Sequence, residues 1–448
     1  MSRPPSELTE TLLRAAKAAG ADSADAIVVS GASSSIDVRS GALEQAERAE
    51  STDMGLRVFL GHRQANVSAS DTKDATIAEM AERAIAMARI APEDPHAGLA
   101  AKDQLATDLD ANSLDLVDTA PEPDPAMLQG WAEEAEAAAL AVEGVTQVQS
   151  ASATHGNRRV HLATSTGFSA GYDGTGISIS CVAISGTGTG MERDYDYDSR
   201  THLSDMRDPA EIGRRAAERA VSRHGARRPA TGSYPVVFDE RIAGSLIGHL
   251  VQAINGSAIA RGSSWLLDGI GQQILPSGLS LVEDPHRARV QGSRLFDAEG
   301  LPTNRRTIVN DGRLTGWTLD LATARKLNMD STGNAMRGVS APPSPGVTHL
   351  ALTQGVRSRA ELLSDMGTGL LVTSMIGSTI NPNTGDYSRG ASGFWVEDGE
   401  IAYPVNECTI AGNLREMLRR MVPANDAQPH LSRVVPSLLV EGLTLAGD

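Results

Sequence analysis

Cysteine is almost absent. The 448-residue chain has two, Cys181 and Cys408, which form no CxxC motif and no disulfide framework, and this fits a reducing compartment. Aromatics are scarce at 3% and the formal net charge is −16. A single-stranded nucleic-acid binder needs stacking rings and a basic groove, and a duplex or an anionic membrane surface needs positive charge. Both classes are excluded. No run approaches the ~18 apolar residues that span a bilayer, and Met1–Pro5 lead into a polar helix without an apolar signal core. The expectation is a soluble, cytoplasmic protein. What the chain does have is 40% hydrophobic residues and 44 glycines, hence aliphatic cores joined by many tight turns. Its length suggests two or three domains.

Apolar periodicity predicts helices over 6–19, 73–90, 125–142 and 209–223. Short strands are expected at 26–29, 35–39, 43–49, 55–60 and 64–68, then at 146–154, 159–164, 177–185 and 191–197. Residues 101–150 carry eleven acids against one base, a net of −10, with Pro121, Pro123 and Pro125 among them. A solvated linker plus the outer face of an Ala-rich helix is favoured there over an acidic docking surface. After Arg227–Gly232 come a strand (234–238), a helix (241–259) and a β-rich stretch. Asn310-Asp311-Gly312 and Asp398-Gly399 each read as hairpin turns, joining 306–309 to 314–318 and 393–397 to 401–405. Short helices are expected at 319–327, 358–365 and 411–421. The class is α+β: a mixed α/β N-terminal lobe (1–100, and 101–226 as acidic linker, helix and central region of the same lobe), then a β-rich, barrel-like C-terminal domain with short helices (232–448).

Familiar catalytic motifs are missing. There is no phosphate loop and no GxSxG elbow, and Gly186–Gly190 joins strands where a dinucleotide fingerprint needs a strand-to-helix turn. A zinc protease helix needs two His on one face and an adjacent Glu. None of the ten histidines precedes a Glu, and no two lie three or four apart. Asp194, Asp196 and Asp198 alternate with Tyr195 and Tyr197, so on a strand the acids share one face. That face reads as a solvent-facing or edge strand in preference to an ion site. His249, alone on its helix, reads as a packing residue, and Cys408 as a small buried hydrophobe.

Arg261-Gly262-Ser263-Ser264, Ser331–Arg337 and above all Thr384–Glu397, continued by Ile410–Leu414, resemble the TldD/PmbA family of metalloprotease subunits, in its PmbA (TldE) branch. The resemblance covers nearly the whole chain and implies a mixed N-terminal lobe and a barrel-like C-terminal one. In the TldD branch the helix before the Gly-Ser-Ser motif bears an HExxxH metal site, and a Cys ligand follows near the C-terminus. The three functional positions of that motif fall here on Ile247, Gly248 and Gln252, and no cysteine follows Cys408. Without ligands or base there is no Lewis acid and no activated water. The resemblance therefore implies a chain with no catalytic residues and no metal of its own, whose zinc resides in a TldD-like partner.

Such pairs cleave extended or unfolded peptides, including leader segments of peptide antibiotics. This chain would complete the heterodimer, wall off the partner's active site and help hold peptide, with homodimers forming when the partner is absent. Peptide-contact candidates are Asn334, Arg337, Asp386, Tyr387, Ser388 and Arg389, polar residues in glycine-bounded loops whose arginines suit a carboxylate. The competing reading is that these loops brace the barrel, with Asp386 and Arg389 ion-paired. Two further functions stay open: an autonomous metal-dependent hydrolase built from Asp194, Asp196, Asp198 and His202, and a non-enzymatic peptide-binding homodimer.

Overall fold

A computed structural model of the chain describes residues 3–447, and of residue 378 the backbone alone. Helix α1 (Pro5–Ala18) precedes a meander of β1 (Ser23–Arg39), β2 (Ala42–Leu60) and β3 (Arg63–Ala69), followed by α2 (Asp74–Ile90). After a long strap come α3 (Pro125–Leu140), β4 (Val145–Thr164), β5 (Ser169–Ser185), β6 (Glu192–Arg200) and α4 (Pro209–Ser222). The six strands form one antiparallel sheet in the order β3-β2-β1-β4-β5-β6.

Several strands are longer than the sequence pattern predicts. The small polar stretches Ser30–Ser34 and His155–Arg158 lie between the expected strands, yet Ser30–Ser34 pair residue by residue with Arg159–His155 inside continuous ladders. Position 31 needs glycine because the Asn157 carbonyl lies where a Cβ would stand. A central strand is held by hydrogen bonds on both sides, so weak local propensity does not end it.

Alternation along β1 separates two faces. Ala24, Ala26 and Val28 pack with α1 and α2, while Ile36 and Val38 pack with α3 and α4. All four helices thus cover one face. From the other, Ile27 joins Phe168, Val160 and Phe296 of the C-terminal lobe. The acidic segment is no free linker. Ala106, Leu114 and Leu116 are buried, and backbone bonds fasten it on both sides: Ala106 donates to Gly300, Arg289 to Leu114 and Thr175 to Leu116.

The second lobe begins with β7 (Gly232–Phe238), α5 (Glu240–Ala253) and α6 (Gly256–Ala260). The helix expected over 241–259 breaks at Asn255, whose side chain caps α6 by accepting from Ser257 N–H. Next come β8 (Leu281–Glu283), β9 (Arg306–Asn310), β10 (Arg313–Leu314), α7 (Leu321–Leu327), β11 (Ala335–Met336), β12 (Ser344–Pro345) and β13 (Leu350–Leu352). The chain closes with α8 (Arg359–Met366), β14 (Gly369–Ile380), β15 (Asp386–Glu397), β16 (Glu400–Asn413), α9 (Leu414–Arg420), β17 (Val422–Pro423), β18 (Arg433–Val434) and β19 (Leu438–Ala446).

Strands β16, β15, β14, β7 and β19 pair in turn, and β19 pairs back with β16, closing a five-stranded barrel. A smaller sheet, β10-β9-β8-β13-β18, flanks it. Helix α5 shares one core with both, through Leu246, Ile247 and Leu250 against Leu370, Val372 and Leu438. The expected helix over 411–421 starts only at Leu414, because Ala411–Asn413 still belong to β16. The expected hairpin at Asp311-Gly312 forms, but its second arm pairs only over Arg313 and Leu314.

The lobes meet closely. A Cβ on Gly55 would run into the backbone of Val339, whose carbonyl also accepts from Asn66 Nδ2 at 3.2 Å. Backbone cannot retract like a flexible side chain, so Gly55→Ala should cost about 1–3 kcal/mol of stability. Chemical denaturation of the variant checks this.

Candidate functional site

Helix α5 carries Ile247, Gly248 and Gln252, the positions to which the resemblance assigns the metal motif. Asp239 caps it by accepting from Arg241 N–H. Ala243, Leu246, Ile247 and Leu250 are buried, and the opposite side presents Gly244, Ser245, Gly248, His249 and Gln252. Ile247 is therefore a core residue, while Gln252 is exposed. The two glycines leave a groove that Arg433 fills. Its Nη1 lies 3.2 Å from where a Gly248 Cβ would stand, and its Cβ and Cδ lie 3.8 Å from that of Gly244. The glycine pair at i, i+4 was the sequence signal for this close approach; Arg433 itself carried none.

His249 sits edge-on to Tyr387, ring centroids 5.9 Å apart. Both its ring nitrogens are sheltered without a hydrogen bond of good geometry, as is the Ser245 hydroxyl one turn earlier. Burial, then the nearby Arg389 guanidinium, holds the imidazole below its ordinary pKa, and Gln252 opposes this. The opposition is weak, since no well-formed bond to the ring accompanies it. A neutral imidazole, an apolar Ile247 and a guanidinium over Gly248 are a poor donor set for zinc, which needs several N, S or O ligands and is repelled by a fixed cation. Among the described residues no three His, Cys, Asp or Glu side chains gather as a metal cage. The residues present do not fit the metal.

The six contact candidates separate. Asp386 is exposed on the barrel rim, accepting from Thr384 Oγ1 at 2.6 Å and Asn413 Nδ2 at 3.1 Å, and the Thr384 hydroxyl leads in lowering its pKa. Ser388 and Arg389 are half-buried beside it, with Arg389 Nε donating to Gly377 O at 2.7 Å. No Asp386–Arg389 ion pair forms among the described residues. Tyr387 is buried and donates to Met375 Sδ. Asn334 and Arg337 correct the expectation of exposed loop polarity. Asn334 Nδ2 donates to both Glu283 oxygens and to Gly346 O. Arg337, its side chain 1% exposed, pairs with Asp25 of the other lobe. Both side chains are buried and bonded to internal partners.

Asp25 also holds Arg57, directly opposite it on β2. Burial pulls the Asp25 pKa up, but Arg337 and Arg57 together hold it below the ordinary value. Behind them, Asp297 accepts backbone N–H groups from Glu299, Leu301 and Ala335. Burial pushes Asp297 up to about 6 and Glu299 up to about 8, the latter helped by the Asp297 charge. A carboxyl whose folded pKa is raised adds stability below its unfolded pKa of ~4.3, and loses it as pH rises through the folded value. Stability should therefore decline from about pH 5 to pH 8, and Glu299→Gln should flatten that decline. Denaturation midpoints across this range measure it.

The Asp194–Asp198 strand overturns the expectation of a solvent-facing acidic row. Strand β6 is a sheet edge, but the acids face inward, 6%, 6% and 2% exposed, while Tyr195 and Tyr197 point out. Helix α4 supplies the reason, because Arg215 and Arg219 lie over this face. Asp194 binds Arg223 at 2.7 Å and Arg241 at 3.0 Å. Asp196 takes Arg219 and Arg207, and Asp198 takes Arg200. His202 stands apart, its Nε2 2.9 Å from Asp115 O. The four do not form an ion site. Burial raises Cys181 to about 12 and Cys408 to about 11, so neither thiol is a nucleophile at neutral pH. A cleft of about 970 Å³ between α4, the first turn of α5 and the barrel is lined by Arg219, Arg241, Phe394 and Tyr403.

The sequence matches the three PmbA/TldA metallopeptidase domains: domain 1 over 24–88, the central domain over 118–223 and the C-terminal domain over 231–447. It is 38% identical to Metalloprotease PmbA of Escherichia coli O157:H7 over 431 residues, covering 95% of this chain and 93% of that one. The chain belongs to the PmbA/TldD metallopeptidase family. Within the family it is of the PmbA type, being also 37% identical to the PmbA homolog of Haemophilus influenzae over 95% of this chain and 92% of that one. Among solved structures, TldE of Thermococcus kodakarensis shares the fold, with a TM-score of 0.84 and 20% identity over 98% of this chain and all of that one. A Bacteroides thetaiotaomicron protein described as a candidate modulator of DNA gyrase is similar at TM-score 0.90 and 26% identity, covering 99% of this chain and 98% of that one. No helix among the described residues is long and apolar enough to cross a membrane.

Proposed function

We propose that this PmbA-type chain is the metal-free subunit of a cytoplasmic heterodimeric metallopeptidase, with zinc held by a TldD-like partner. The observation that carries this reading is the filled groove on α5. A buried Ile247, a Gly248 covered by Arg433 and an exposed Gln252 stand where a metal helix needs two ligands and a general base. The chain's own work is then to complete the enclosure and help hold an extended peptide, with Asp386, Ser388 and Arg389 as the exposed or half-buried rim groups able to meet peptide termini. Backbone pairing with an extended peptide tolerates many sequences, which suits a pair that removes leaders and degrades unfolded chains.

Elemental analysis of the purified chain tests the metal assignment. The expected zinc content is well below one per chain, unchanged in Asp196→Ala. One tightly held zinc per chain, lost on that substitution, would restore the autonomous hydrolase and end this reading.

A further inference from the structure

The two edges of the N-terminal sheet are treated differently. At β6 the outward backbone is guarded: Arg219 Nη1 donates to Tyr195 O at 3.0 Å and Arg207 Nη2 to Tyr197 O at 2.7 Å. At the other edge, β3 covers β2 only from Met54 to Leu60. From Ala42 to Asp53, β2 pairs with β1 alone, and every residue from 42 to 51 is exposed. At about 3.3 Å per residue this is an open edge on the order of 40 Å long. Among the described residues, neither lobe pairs with it. A long unpaired edge is an aggregation hazard unless charge, a bulge or a partner protects it.

We infer that residues 42–53 are a docking edge for a β-strand of the TldD-like partner, a strand with an excess of Lys and Arg. Charge selects the occupant. The edge bears Glu44, Glu47, Glu50 and Asp53 against Arg48 alone, a net of −3. Arg39 of β1 pairs with Glu44 and Arg48 with Glu50, which leaves Glu47 and Asp53 without an ion pair among the described residues. A second copy of this chain would therefore bring the same excess to the pairing, while a basic strand neutralises it. Ala42, Ala46 and Ala49 keep side-chain bulk low, allowing close approach of another backbone. The inference rests on the heterodimer reading and adds where the partner binds.

The test uses the full chain and a purified TldD-type chain from the same genome, with sedimentation and amide hydrogen exchange. Alone, the outward amides of 42–53 should exchange quickly; on mixing they should slow by about tenfold or more, while β3 amides stay unchanged. Glu44→Lys/Glu47→Lys/Glu50→Lys, all on exposed positions, should fold normally yet bind about tenfold more weakly or worse, with the difference shrinking in high salt. A complex that forms at full affinity with the triple variant, without protection at 42–53, overturns the docking edge and leaves the heterodimer standing. Absence of any complex with the unaltered chain overturns both. Protection at 42–53 in the chain alone, rising with its concentration, makes the occupant a second copy and overturns the basic partner strand.

Discussion

Arg337→Ala should destabilise the folded chain by about 3–5 kcal/mol, because it leaves Asp25 charged and buried with one guanidinium in place of two. Asp25 and the Arg337 side chain are each 1% exposed, so water cannot replace the lost partner. The damage should be felt across the whole molecule, since this pair joins the first strand of the sheet to the C-terminal lobe. The Asp25 carboxyl is held below its ordinary pKa, so its contribution is present above ~pH 4 and fades as pH falls through the lower folded value. The variant should therefore differ most from the unaltered chain near neutrality and least in strong acid. Urea denaturation at pH 7 and pH 3 measures both statements; equal losses at the two values would contradict the ion-pair account.

Asp194→Ala should cost a similar 3–5 kcal/mol. Its carboxylate binds Arg223 and Arg241, and Arg223 in turn donates to Thr373 Oγ1 at 3.0 Å and Ser392 Oγ at 3.2 Å on the barrel. Alanine leaves Arg223, 9% exposed, without a carboxylate, and Arg241, 17% exposed, with Asp239 alone. Here too arginine charge outweighs burial and lowers the carboxyl pKa, so the contribution vanishes in acid. Thermal melts would show the loss, and limited proteolysis should place the first cuts where the lobes separate. A variant as stable as the parent would mean that these ion pairs are solvated after all.

Much of this architecture is legible in the sequence. The helix spacings, the turn residues Asp311-Gly312 and Asp398-Gly399 and the β-rich second half all point to the observed lobes. The failures have one cause. Local pattern cannot report what a distant segment supplies. Ser30–Ser34 fall outside the expected strands because the flanking strands that hold them are not in the window. Asp194, Asp196 and Asp198 read as solvated because, Arg200 apart, their arginines lie eleven to forty-seven residues away. Arg337 read as a peptide contact because Asp25 is separated from it by 312 positions. In each case a polar residue finds its partner inside the fold, and only topology says so.

The most direct test of the central claim is peptide cleavage by the separated and mixed chains. An unfolded peptide should survive this chain alone with zinc supplied, and be cut when the TldD-type chain is added, at a rate set by the metal content of that partner. Cleavage by this chain alone, abolished by a chelator and restored by zinc, would contradict the account.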